Sequence, residues 1–225
     1  MTELSAFPIT RKWPAKHPER LQLYSLPTPN GVKVSIMLEE IGLAYEAHKV
    51  SFDNDDQLSP EFISLSANNK IPAILDPNGP GDQPLALFES GAILKYLGEK
   101  SGNGMYPDDP AKRILVDQWL FYGSATFTTH AQQLGLFTKR FPEDVPSVKA
   151  HYLDQFHDMC SIFDTRLAQS EYLAGEEYTV ADIASYPDIH LYHDDGVATG
   201  DYPNLARWHD AIAARPAVER AWGPY

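Results

Sequence analysis

Strand-like alternation is confined to the first hundred residues of this 225-residue chain, and everything after Pro110 carries helical periodicity. The alternating segments are "LQLYSL" from Leu21, "YEAHKVSF" from Tyr45, "NKIPAILD" from Asn69 and "PLALFES" from Pro84. Between and after them lie helix-like runs. Val32, Ile36, Leu38 and Ile41 share one face before Gly42, Ser59-Pro60 opens a second helix, and "SGAILKYLGEKSG" follows Glu89. The order is therefore β-α-β-α-β-β-α. Parallel strands need a crossover while antiparallel ones join through a turn, so this order calls for a parallel βαβ unit followed by a hairpin and a helix.

That arrangement is thioredoxin-like. The stretch "SGNGMYPDDP" (Ser101–Pro110) has no periodicity and is rich in Gly, Pro and Asp, which marks a linker. Helices are expected from Ala111 to about Phe137, Ser147 to Ala168, Val180 to Tyr192 and Pro203 to Arg215. The predicted organisation is an extension over residues 1–20, a thioredoxin-like domain over 21–100, a linker over 101–110 and an all-helical domain over 111–225. The extension carries Pro8, Pro14 and Pro18 among basic residues and is expected to lie over the surface, with a subunit boundary as one place it could reach.

A net charge of −13 repels phosphate backbones and anionic lipid headgroups, so neither nucleic acid nor membrane is an expected partner. No apolar run is long enough to span a bilayer, and "MTELSAFPITRKWPAKHPER" lacks the apolar core of a secretory signal; a cytoplasmic protein is expected. Cys160 is the one cysteine, which rules out intramolecular disulfides and any Cys-x-x-Cys pair. Its helical surroundings, "QFHDMCSIFDTRL", suit a buried structural thiol more than a reactive one.

Candidate chemistry starts at Pro27-Thr28-Pro29-Asn30-Gly31, between the first strand and first helix. A helix N-terminus presents unpaired amides and the positive end of a dipole, which stabilise anions and lower thiol pKa values. A hydroxyl and a carboxamide there can add direct donors. They can equally form the turn and cap the helix, since Ser, Thr and Asn are preferred caps. Glu89-Ser90 begins another helix, where the pair can cap and complement the dipole or hold opposite charges of one ligand.

Together, "PTPNG", "QLSPEF" from Gln57, "NNKIPAI" from Asn68, "LFESGAILKYL" from Leu87 and "YTVADIASYP" from Tyr178 resemble the cytosolic glutathione S-transferases, most closely the nu class with glutathione-dependent disulfide reductase activity. The resemblance implies a glutathione transferase fold, a homodimer, and glutathione with a small electrophile or disulfide as substrates, with no metal. It implies that Thr28 and Asn30 stabilise the glutathione thiolate. Gln57 and Lys70 would contact the tripeptide, Ile71 would pair with its cysteinyl backbone through a cis bond to Pro72, and Glu89 and Ser90 would take the γ-glutamyl ammonium and carboxylate.

The chain departs from that pattern twice. "GSATFTTHAQQLGLF" (Gly123–Phe137) replaces a Gly-Pro-rich kink and a polar motif, and His151 falls where some members carry a glutathione-holding arginine. His190 and His193 within "HLYHDD" are read as residues near a helix end rather than metal ligands, and Thr179 with Asp182 as a reciprocal helix cap. The aromatic run from Trp119 to Phe127 is read as core on one side and as a wall for a co-substrate on the other. Two other functions fit the fold: a non-catalytic regulatory or interaction protein, and a glutathione lyase or isomerase for one metabolite.

Overall fold

Leu21, Leu23 and Tyr24 are fully or almost fully buried in a strand whose five residues are all shielded from solvent. A computed structural model of the chain describes residues 4–193 and 200–224. The strand β1 (Leu21–Ser25) lies between β2 (Tyr45–Lys49), parallel to it, and β3 (Ala73–Asp76), antiparallel to it; β4 (Leu85–Phe88) pairs antiparallel with β3. The sheet order is β2-β1-β3-β4. A short helix, α1 (Ile9–Lys12), precedes β1. The crossover from β1 to β2 is α2 (Pro29–Ile41), α3 (Pro60–Ile63) precedes β3, and α4 (Ser90–Ser101) follows β4. This is the thioredoxin-like order expected from the alternation.

Gly31 is required where β1 hands over to α2. A Cβ there would lie 2.0 Å from the Leu26 carbonyl oxygen and 2.5 Å from Ser25 Oγ, so no other residue lets the helix start so close to the strand end. Val32, Val34, Ile36, Met37 and Leu38 are then completely buried. This crossover packs against α4 and against the last helix of the chain.

Residues 4–20 do not hang off the domain. Leu4 and Ile9 join the cluster formed by Tyr24, Phe62, Leu65 and Leu75, with Phe7 and Trp13 packed against it. Trp13 Nε1 donates to the Lys49 carbonyl (3.1 Å), Lys12 pairs with Asp56 (2.8 Å), and the Lys16 and His17 amides donate to the Glu46 carboxylate at 2.7–3.1 Å. The described part of this segment is bound to its own sheet. Compact packing divides the chain after Ser101, and residues from Pro216 onward count with the first unit rather than the helical one. There α10 (Pro216–Arg220) packs on α2 and Arg220 pairs with Glu39 at 2.7 Å.

The second unit, Gly102–Arg215, contains α5 (Pro110–Phe121), α6 (Thr128–Gly135), α7 (Pro146–Leu167), α8 (Val180–His193) and α9 (Pro203–Ala213). The single long helix expected from Ala111 is instead α5 and α6 joined by a π-helical turn, Tyr122–Phe127, with a second such turn at Leu136–Arg140. Gly123 sits in the first turn, where a Cβ would come within 2.4 Å of Ser185 Oγ; close crossing with α8 accompanies the widened turn. The aromatic run around it is largely core: Leu120 and Phe127 are buried, and Trp119, Tyr122 and Phe127 all meet the Phe163 ring.

Candidate functional site

Thr28 is the N-cap of α2. Its extended backbone lets its carbonyl accept the Val32 amide (2.9 Å), while its hydroxyl oxygen accepts the Gly31 amide at 3.4 Å. Capping uses only the lone pairs of the hydroxyl; its hydrogen remains to be donated. The two sequence readings of Thr28 are thus compatible. The residue closes the helix and can still offer an O–H to an anion.

Asn30, two residues after the cap, is fixed by two donors. Lys33 Nζ donates to Asn30 Oδ1 at 2.9 Å, and Ser90 Oγ donates to the same oxygen at 3.3 Å. An ammonium has no acceptor, so the oxygen of the carboxamide must be the end facing Lys33. The Nδ2 group is therefore the end left for a ligand. Lys33 is completely buried, and helical periodicity alone does not single it out. Its signal was legible only in part: a lysine among Val32, Val34 and Ser35 interrupts an otherwise apolar stretch.

Ser90 starts α4, is 8% exposed, and reaches across to Asn30. Two helix starts sixty residues apart in sequence thereby meet. Glu89 is exposed, with its backbone in the left-handed region at φ 74°. A non-glycine residue held there costs on the order of 1–3 kcal/mol, and such strain collects at sites where side-chain direction matters. The carbonyl of Glu89 accepts the Ile93 amide, so the strained residue also caps α4.

The approach to Ile71 is equally defined. Ser66 Oγ donates to the Lys70 carbonyl (2.8 Å) and the Asn69 amide to the Ser66 carbonyl (2.9 Å), with Asn69 at φ 46°. The Ile71–Pro72 bond is cis. Lys70 is exposed while Ile71 and Pro72 are buried. Gln57 lies in a 3₁₀ turn, Asp56–Leu58, and its side-chain oxygen is shielded from water with no protein donor facing it. A buried acceptor without a donor costs roughly 1–3 kcal/mol. Thr28, Asn30, Gln57, Lys70, Ile71, Pro72, Glu89 and Ser90 all belong to the first unit. His151 does not: it is exposed on α7 in the second unit, edge-on to Tyr152 with ring centroids 5.4 Å apart.

The arrangement can bind an anionic sulfur at the α2 terminus, where the Thr28 hydroxyl and the oriented Asn30 carboxamide can donate. It sits beside a carboxylate–serine pair suited to an α-amino acid group. Comparisons with known proteins give the family. Residues 19–99 match the glutathione S-transferase N-terminal domain and residues 127–216 the C-terminal domain. The chain is 37% identical to the disulfide-bond oxidoreductase YfcG of Escherichia coli (strain K12), over 89% of this chain and 94% of that one. The chain belongs to the glutathione S-transferase family. Among solved family members, a Pseudomonas putida transferase with one glutathione disulfide per subunit is 55% identical, with a TM-score of 0.93 over 99% of both chains. A Burkholderia graminis transferase with two glutathione molecules per subunit is 49% identical, with a TM-score of 0.94 over 99% of this chain and 95% of that one.

Other clusters in the second unit are structural. Asp182 accepts from the Leu173 amide, the Thr179 amide and hydroxyl, and Trp208 Nε1, at 2.9–3.2 Å. It is the reciprocal cap expected from the sequence, and it also ties α8 to α9. His193, His209 and Asp210 place ligand-type atoms within 4.8 Å of one another. The His193 and His209 rings, however, are stacked at 4.0 Å and 13°. Parallel rings cannot both aim an in-plane lone pair at one ion, so this contact is packing rather than coordination geometry.

Proposed function

We propose that the chain is a glutathione-dependent disulfide reductase or transferase of the nu-class type, working through a glutathione thiolate held at the N-terminus of α2. The observation that carries this reading is the orientation of Asn30, whose Oδ1 is occupied by Lys33 and Ser90, which leaves Nδ2 as the end available to a ligand. Glu89 would take the γ-glutamyl ammonium and Ser90 its carboxylate. Gln57, Lys70 and the Ile71–Pro72 backbone would hold the rest of the tripeptide. His151 enters from the resemblance alone, as a holder of a second carboxylate.

For disulfide reduction, the stabilised thiolate attacks one sulfur of the substrate disulfide, forming a mixed disulfide and releasing the other sulfur as a thiolate. A second glutathione thiolate then attacks the glutathione sulfur of the mixed disulfide, giving glutathione disulfide and the second product thiolate. The relatives bound to glutathione disulfide or to two glutathiones suit such a cycle. For transfer, the same thiolate attacks a small electrophile. No described helix is long and apolar enough to cross a membrane, and a cytoplasmic homodimer is the proposed form.

Thr28→Ala and Asn30→Ala should each lower kcat/KM by roughly tenfold to a thousandfold, the range for removing a donor to developing negative charge. Loss of the Thr28 cap should cost only about 1 kcal/mol of stability. Steady-state rates with glutathione and a small disulfide decide it. Wild-type rates in the double variant would refute the thiolate site.

A further inference from the structure

We propose that Lys33 is a positioning residue: its buried Nζ fixes Asn30 so that the carboxamide nitrogen, not the oxygen, meets the glutathione sulfur. This rests on the thiolate reading above and deepens it. A free asparagine side chain presents either end to a ligand, because its two ends are nearly the same size. Presenting the oxygen would be damaging here, since a carboxamide oxygen repels a thiolate while an N–H donor stabilises it. Something must break the symmetry.

The structure places a group with no acceptor behind Asn30. Lys33 lies on α2 three residues later, on the same helix face as Asn30, and is 0% exposed. Its Nζ–Oδ1 distance of 2.9 Å is a normal hydrogen bond, and the second donor, Ser90 Oγ, converges on the same oxygen at 3.3 Å. Flipping Asn30 would turn its NH₂ group towards the Lys33 hydrogens and strand a buried donor, an arrangement disfavoured in a low-dielectric interior. Burying a lysine inside an apolar crossover helix is also costly unless its head group is hydrogen-bonded. Surface placement would have served helix formation as well.

The test compares Lys33→Met, close in length but unable to donate, with Asn30→Ala and the double variant. The thiol pKa of bound glutathione is read from thiolate ultraviolet absorbance against pH, alongside kcat and KM. Lys33→Met should raise that pKa by about one unit and lower kcat about tenfold at neutral pH, with partial recovery in alkaline buffer and little change in KM. The double variant should be hardly worse than Asn30→Ala, because Lys33 acts through Asn30. If Asn30→Ala leaves the thiol pKa and turnover unchanged, the thiolate reading itself falls. If Asn30→Ala is impaired but Lys33→Met titrates and turns over like wild type, the positioning role alone is overturned. Should Lys33→Met not fold, a crystal structure of the wild-type chain with glutathione decides: Asn30 Nδ2 within hydrogen-bond reach of the sulfur supports the inference, and Oδ1 on the sulfur overturns it.

Discussion

The Cys160 side chain is completely buried on α7, and burial pushes its thiol up to about 12. A group protonated at every physiological pH is neither a nucleophile nor a leaving thiolate. Disulfide exchange must then run between glutathione and substrate, so Cys160→Ser should keep near-wild-type reductase rates. The new hydroxyl in an apolar site should cost about 1–3 kcal/mol of stability. Abolished turnover in a variant that circular dichroism shows to be folded would demand a mixed disulfide with the protein. Glu89 is chemically the reverse case: exposed, strained at φ 74°, and placed beside Ser90. Glu89→Ala should mainly weaken glutathione binding by leaving the substrate ammonium without its partner. Calorimetry should show at least a tenfold higher Kd, and an unchanged Kd would remove Glu89 from the site.

Among elements, the N-terminal segment shows how far a few contacts can bind irregular chain. Ile9 contributes roughly 1.5–3 kcal/mol by burial, and the Lys16 and His17 amides converge on Glu46. Burial by itself would raise the Glu46 carboxyl; the two amides, with His48 and His17 nearby, outweigh it and hold the pKa below the usual carboxylate value. A depressed folded pKa means that this contribution is fully present above the unfolded glutamate pKa, near about 4.3, and is lost as pH falls through the folded value. Acidification should therefore loosen the segment before the sheet unfolds. In nuclear magnetic resonance titrations the Lys16 and His17 amide shifts should follow Glu46 protonation, and Glu46→Gln should abolish that response. Persistence of the same titration in Glu46→Gln would place its origin elsewhere. The π-helical turn at Tyr122–Phe127 belongs to this scale too: its sequence pattern is helical, and close packing at Gly123 accompanies the change in pitch.

For the whole molecule, the expected assembly is a two-fold homodimer, because closed isologous pairing is the common solution for soluble chains of this size. Sedimentation velocity at micromolar concentration should give a single species near twice the 25.2 kDa chain mass. Monomer alone would end the dimer proposal. Much of the architecture was legible in the sequence because it rests on local periodicity: alternation before Ser101, helical repeats after Pro110, and prolines and glycines at the junctions. Thr28, Asn30, Glu89 and Ser90 were legible as candidates because polar residues at helix starts have few uses. What the sequence alone determined was this list of elements and candidate donors. Tertiary structure decided which end of Asn30 is available, since Ser90 Oγ arrives from sixty residues away and the Lys33 ammonium is buried only once α2 is packed. It also decided that residues 4–20 and α10 pack with the first unit, through contacts such as Trp13 with Lys49 and Arg220 with Glu39. Such pairings depend on distances in space, which local residue periodicity does not encode.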